Sequence, residues 1–209
     1  MALGDLYGDL NLLFRWLHVI AGITWIGMLY FFNFVNVPLQ AALDDAGKKA
    51  VTPKLMPRAL WWFRWGAMTT FIMGLALFTM IYMYTPGRGF GPSQYFMEAS
   101  GGISQRAWWI MFGMLLATVM WFNVWFIIWP IQKKMLGGKA SPEELPVIRR
   151  RAYLASRTNT YLSAPMLFGM LAPNHFGAFD VPTLIVAIGI ALAAIWWAIK
   201  SSSSVGTSV

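Results

Sequence analysis

Long apolar stretches separated by short polar segments make up most of this chain of 209 residues. A helix that crosses a bilayer needs about 20 mainly apolar residues, and the chain offers five stretches of roughly that length. Their approximate bounds are 10–35, 60–84, 107–130, 152–171 and 181–199. The pattern therefore predicts an all-α integral membrane bundle of about five transmembrane helices, forming a single domain over residues 1–200.

The fourth stretch is the least apolar of the five and contains Arg157, Thr158, Asn159, Thr160 and Pro165. Ahead of it, the segment "SPEE" at 141–144 is typical of a helix N-cap followed by proline and first-turn acids. We therefore expect a helix to start there, follow the membrane surface through the arginines at 149–151 and continue into the fourth span. Small polar residues fill 201–209, which is predicted to be a disordered tail.

Composition supports a membrane protein, because only 11% of the residues are charged and 58% are hydrophobic, whereas soluble domains are about 25% charged. The chain has no cysteine, which excludes disulfides and C-x-x-C-H haem attachment within it. The first ten residues carry two acids and no base, so no cleavable signal peptide is expected. The net charge of +8 lies between apolar stretches, where it indicates topology and not nucleic-acid binding.

The basic residues predict the orientation of the bundle. With five spans, thirteen of the 16 lie on one side of the membrane: Lys48, Lys49, Lys54, Arg58, Arg64, Lys133, Lys134, Lys139, Arg149, Arg150, Arg151, Arg157 and Lys200. The positive-inside rule then places the N-terminus outside and the C-terminus in the cytoplasm, with the chain a multi-pass protein of the bacterial inner membrane. All eight acids fall in loops or at span edges.

The two histidines are both predicted to lie toward the outer face. His18 is about two turns inside the first span, and His175 follows the fourth span in "LAPNHFG". An ionisable residue inside a membrane helix is a functional-site hypothesis by default. On an ideal helix, Arg15, Gly22 and Trp25 share the face of His18, because they lie three, four and seven residues away.

This arrangement favours a b-type haem. Imidazole nitrogens bind haem iron axially, small residues admit a flat macrocycle, and cations near the interface pair with propionates. His18 and His175 are therefore predicted as axial ligands of haem b, which would carry electrons because no iron position stays open. The other predicted cofactor-binding residues are Arg15, Gly22, Trp25, Arg106 and Asn174.

Two other interpretations of the histidines stay open at this stage. A histidine at a helix interface can simply hydrogen-bond across helices, and a pair can hold copper or zinc, although thiolate and carboxylate partners are lacking. A depth difference also separates the pair, since His18 is expected roughly 10 Å inside the outer edge while His175 is expected near that edge.

Two motifs make the chain resemble the membrane region of the bacterial urate hydroxylase family, also described as the urate oxidase N-terminal domain family. The first motif is Arg15, Trp16, His18, Gly22, Trp25 and Gly27. The second is Ser156, Arg157, Asn159, Pro165, Leu167, Phe168, Met170, Asn174 and His175. The resemblance extends from about Leu10 to Phe176.

The resemblance implies a multi-span membrane oxidoreductase linked to a cytochrome c that is often fused at the C-terminus. With no cysteine before Val209, we expect this chain to lack that fused domain. The leading hypothesis is a membrane electron-transfer module that binds haem b and exchanges electrons with a cytochrome c or a larger respiratory or photosynthetic complex.

Three rival hypotheses accompany it. One is a haem-free accessory subunit of a large membrane complex, whose small and aromatic helix faces contact its partners. Another is a small-molecule or metal transporter, which the lack of mid-membrane acids disfavours. The third is an enzyme acting alone on urate, which is disfavoured because the external loops contain no evident acid–base set.

Overall fold

A computed structural model describes residues 5–207 of the chain as a bundle of helices. Its elements are α1 Leu6–Tyr30, α2 Val37–Ala42, α3 Asp45–Tyr82, β1 Tyr84–Thr85, β2 Gly89–Phe90, α4 Gln105–Phe122, α5 Trp129–Leu136, α6 Leu145–His175 and α7 Val181–Ser201. Two π-helical segments, Phe31–Asn36 and Asn123–Ile128, join α1 to α2 and α4 to α5, so that each pair forms one continuous rod. A two-stranded antiparallel hairpin, β1 with β2, follows α3. The prediction of an all-α bundle of about five long helices is confirmed.

Four of the helical rods are long and apolar enough to cross a membrane: Leu6–Ala42, Asp45–Tyr82, Gln105–Leu136 and Val181–Ser201. The fifth, α6, has the length but is more polar, in agreement with the sequence of the predicted fourth span. Helix α6 packs against α4, α7 and the second π-helical segment. Its polar residues Asn159, Thr160 and Ser163 are fully buried by these neighbours, so lipid does not surround them.

The start of α6 differs from the sequence prediction. The helix begins at Leu145, because residues 141–144 form a turn in which the Ser141 hydroxyl accepts a hydrogen bond from the Glu144 backbone N–H at 3.2 Å. From Leu145 the helix runs without interruption through the arginines at 149–151 to His175. His175 therefore closes α6 and is not a loop residue. Of the predicted disordered tail, residues 208 and 209 lie outside the described residues.

Each π-helical segment has the same local cause. A proline follows it, Pro38 in α2 and Pro130 in α5, and proline has no N–H to donate to the carbonyl four residues earlier. The residue just before each proline donates to the carbonyl five residues earlier, Val37 to Phe32 and Trp129 to Val124. The α1–α2 and α4–α5 rods thus share a π-helical turn that ends at a proline.

Two antiparallel helix pairs, α1 with α3 and α4 with α6, form the centre of the bundle. Glycines set their close approach. A Cβ atom on Gly66 would lie 3.1 Å from the Trp25 backbone nitrogen, and one on Gly169 would lie 2.9 Å from the Cα of Gly113. Small residues at such crossings are typical of membrane helix pairs.

The two ends of the bundle differ in charge and in the length of the segments that connect successive helices. We call the end formed by residues 83–104 and 176–180 the loop end. The other end, formed by residues 43–58 and 133–151, we call the basic end, because ten of its residues are Lys or Arg and four are Asp or Glu. Apolar side chains such as Leu29, Phe63 and Val124 fill the half toward the basic end, and all three are at most 1% exposed. The half toward the loop end is more open, and it contains the candidate site.

Candidate functional site

A cavity of about 580 Å³ lies among α1, α3, α4 and α6. Its walls are mainly apolar, and its few polar groups are contributed by Arg15, His18, Thr70, Arg106 and Asn174, among others. Small-molecule and cofactor sites in proteins are of this size and have this mixture of apolar walls and a few placed polar groups. The cavity is therefore the candidate site for a ligand in this chain.

His18 is the one histidine of the described residues that lines this cavity. Its Nδ1 atom lies 2.9 Å from the backbone carbonyl oxygen of Thr70 on α3. A carbonyl oxygen can only accept, so Nδ1 must carry the proton and donate it. In the neutral ring Nε2 is then the unprotonated nitrogen with a free lone pair, and the one hydrogen bond of the imidazole to residues 5–207 is made by Nδ1.

This contact arises from a regular spacing of small residues along α3. Gly66, Thr70 and Gly74 recur every four residues, so they share one helix face, which packs against α1. A Cβ atom on Gly74 would lie 3.0 Å from the Cε1 atom and 3.4 Å from the Nδ1 atom of His18. Glycine at 74 therefore gives the imidazole the space in which it reaches the Thr70 carbonyl.

Cationic side chains lie at the loop end of the cavity. Arg15 donates to the Asn11 side-chain oxygen at 3.2 Å, and Arg106 donates to the Tyr82 hydroxyl at 3.3 Å while its guanidinium lies 4.5 Å from the centre of the Tyr95 ring. Neither arginine pairs with a carboxylate, since the one salt bridge within 5–207 joins Lys134 and Glu144 at the basic end. The two positive charges are thus available to an anionic group of a ligand.

Trp25 closes the inner part of the cavity and is 1% exposed. Its indole N–H is buried and has no hydrogen-bond partner among the described residues. The close packing of Gly66 against the Trp25 backbone holds this part of α1 on α3. Trp25 lies about two helical turns from His18 on the same face of α1, toward the basic end.

Six of the seven residues predicted from the sequence to bind a cofactor line this one cavity: Arg15, His18, Gly22, Trp25, Arg106 and Asn174. The seventh, His175, is exposed in the last turn of α6 and does not line it. The structure therefore brings His18 together with the predicted arginines and leaves His175 outside their cavity. Coordination of one iron by both histidines stays a prediction.

Sequence reasoning missed Thr70 and Gly74, although both contact His18. Their signal was the four-residue spacing of Gly66, Thr70 and Gly74, which indicates a small face for close helix packing. That spacing shows that a helix packs there, but it does not show which helix or which side chain.

The side chains around the cavity fit a haem. A histidine that ligates a metal usually donates its other ring N–H to a carbonyl or carboxylate, as His18 does to Thr70. The apolar walls suit a macrocycle, and the two arginines at one end suit its propionates. No group of three or more His, Cys, Asp or Glu side chains that could hold a free metal ion occurs within 5–207.

Comparison with known proteins identifies the family. The model of the family described as urate oxidase N-terminal matches the chain over residues 5–49, 45–100 and 93–201, three overlapping segments that together span nearly all of it. None of the curated proteins or solved structures matches the chain. The matched segments include all four cavity-forming helices. This multi-span helical chain belongs to the urate oxidase N-terminal family.

Proposed function

We propose that this protein is a membrane electron-transfer module that binds haem b in the cavity beside His18. The observation that carries the proposal is the orientation of the His18 ring, whose Nδ1–H is committed to the Thr70 carbonyl at 2.9 Å. The other ring nitrogen is left as an acceptor at the cavity wall, and neutral imidazole in this tautomer is a metal ligand.

The distribution of charged side chains supports the proposed position of the haem in the cavity. Arg15 and Arg106 lie together at the loop end of the cavity without carboxylate partners, where they would hold propionates by charge-assisted hydrogen bonds. The positive-inside rule assigns the basic end to the cytoplasm. The propionate edge would then face the outer side of the membrane, close to the surface at which a cytochrome c or a larger respiratory or photosynthetic complex would dock.

Bound haem b supplies a one-electron couple whose potential is tuned by its ligands and surroundings. The chain's own residues would ligate it through His18, neutralise its propionates through Arg15 and Arg106, and exclude water by apolar walls. The cavity-lining residues include no carboxylate that would repel the propionates.

The first test is a reduced-minus-oxidised visible spectrum of the purified full chain in detergent, together with a pyridine haemochrome assay of the haem type. The cells that produce the protein are supplied with haem. We expect a b-type spectrum with one haem per chain. Protein that is folded yet free of haem would overturn the proposal in favour of an accessory subunit.

Two substitutions of His18 distinguish ligation from packing. In His18→Gln the side-chain amide can still donate to the Thr70 carbonyl, but it offers no imidazole nitrogen to iron. We expect both His18→Gln and His18→Ala to lose the bound haem. If His18→Gln kept the wild-type haem content and spectrum, His18 would be a hydrogen-bonding residue and the assigned ligand would be wrong.

Electron exchange needs its own measurement. The haem-loaded chain is reduced, separated from the reductant and mixed with oxidised cytochrome c, and the absorbance bands of both proteins are followed. We expect the two bands to change together. If the chain binds haem but exchanges no electrons with cytochrome c in either direction, cytochrome c is not its partner. The proposed haem binding would stand.

A further inference from the structure

The cavity wall opposite His18 contains candidate iron ligands other than His175. Helices α4 and α6 form this wall, and the sulfur atoms of Met114, Met166 and Met170 are its soft donors among the described residues. Tyr82 also lines the cavity, but its hydroxyl accepts a hydrogen bond from Arg106 and it lies two helical turns from Gly74 toward the loop end.

The hydrogen bonds from α1 and its π-helical segment to α6, Asn33–Ser156 and Tyr30–Ser163, indicate that Met170 lies nearer the depth of His18 than Met166 does. The Asn33 side chain on the α1–α2 rod donates to the Ser156 hydroxyl on α6 at 3.0 Å, which places these two positions at the same level. The helices are antiparallel, and each residue advances about 1.5 Å along a helix axis. Counting from this pair toward the loop end, the level of His18 corresponds to Met170 and Leu171 on α6.

The contacts between α4 and α6 place Met170 beside the crossing of these two helices. Asn123 donates to the Asn159 side-chain oxygen at 2.8 Å, and Gly113 touches Gly169 farther along the same two helices. Met170 adjoins this glycine crossing on its loop-end side, where His18 also lies relative to the crossing of α1 and α3.

The other two methionines fit less well. Met166 is only 5% exposed and belongs to the apolar core, and it lies one turn from Met170 toward the basic end. Met114 follows Gly113 on the basic-end side of the same crossing. Met170 is half-buried, lines the cavity and shares the depth of His18.

We infer that Met170 is the second axial ligand of the haem, opposite His18. The inference rests on the proposed haem binding and deepens it, because it assigns the iron a histidine–methionine ligand pair. Thioether ligation raises the reduction potential relative to two imidazoles. The module would then operate at a potential suited to exchange with a cytochrome c.

The test uses the haem-loaded full chain and compares three variants, Met170→Leu, Met114→Leu and His175→Ala. Leucine replaces methionine at nearly constant volume, so Met114→Leu is the matched control for a cavity methionine. Oxidised wild-type protein should show the far-red charge-transfer band and the near-infrared dichroism of thioether-ligated ferric haem. Met170→Leu should lose both signals and lower the midpoint potential, while Met114→Leu and His175→Ala should keep them.

Several outcomes would overturn the inference, and each differs from failure of the proposed function. Haem-loaded wild-type protein with a bis-imidazole spectrum, lost in His175→Ala, would assign the second site to His175. Loss of the thioether signals in Met114→Leu would assign it to Met114. If Met170→Leu fails to fold, Met170→His serves instead and should convert the spectrum to the bis-imidazole type. Folded wild-type protein without any haem would refute both the proposed haem binding and the ligation by Met170.

Discussion

Substitution of Gly74 by alanine shifts the His18 ring without removing it. It therefore tests whether the position of the ring matters for haem binding. The added Cβ would lie 3.0 Å from Cε1 and 3.4 Å from Nδ1 of His18, closer than side-chain carbons normally approach. The imidazole must therefore move by a few tenths of an ångström. This movement strains its hydrogen bond to the Thr70 carbonyl, which is 2.9 Å long.

Two opposing effects on stability follow from the same substitution. Alanine is favoured over glycine in a helix by about 1 kcal/mol, and weakening one hydrogen bond costs about 0.5–1.5 kcal/mol. The free energy of unfolding of the haem-free protein should therefore change little. Haem affinity should fall, because loss of a hydrogen bond that orients a metal ligand typically lowers affinity about 10–100-fold, or about 1.4–2.8 kcal/mol.

The assay is a titration of haem into the purified haem-free chain in detergent, followed by the Soret band, with thermal unfolding measured on the same samples. Gly189→Ala in α7 is the matched control, because a Cβ there has no atom within 4 Å. It should keep the wild-type haem affinity. If Gly74→Ala bound haem as tightly as Gly189→Ala, the position of the His18 ring would not determine binding and the argument would be refuted.

Three further substitutions test the packing and charge of the bundle. Asn159→Leu removes a side chain that accepts from Asn123 and donates to a backbone carbonyl, and it should destabilise the bundle by about 1–3 kcal/mol in a reversible detergent unfolding assay. Gly169→Ala would place a Cβ 2.9 Å from the Gly113 backbone, so it should lower stability by about 1–3 kcal/mol in the same assay. Arg106→Gln removes a cation at the loop end of the cavity, and it should weaken haem binding about tenfold in the titration, whereas Arg88→Gln should not.

Matched controls separate these effects from general damage. Thr158→Ala changes the exposed neighbour of Asn159, and Gly27→Ala adds a Cβ where no atom lies within 4 Å. Both should unfold like wild type. Equal losses in Asn159→Leu and Thr158→Ala would contradict the role of the buried hydrogen bonds. Equal losses in Gly169→Ala and Gly27→Ala would contradict the close approach of α4 and α6.

Several properties of this protein follow from the order of residues alone. Apolar stretches of about 20 residues predict membrane helices, because lipid requires every backbone polar group to be paired within its own segment. The all-α bundle was predicted in this way and is confirmed. The family membership was predicted from the resemblance of two motifs and is also confirmed. The helix face that carries Arg15, His18, Gly22 and Trp25 also follows from the sequence, since a single helix has a known period.

Only the tertiary structure decided which helices meet that face and at what depth. Thr70 and Gly74 contact His18 because α3 packs against α1 in one register, and helical periodicity along one segment contains no information about that register. The same reason applies to His175, which lies at the loop end but is exposed in the last turn of α6 and does not line the cavity. Sequence predicts the faces of helices, whereas close packing of small residues between helices decides which faces form a site.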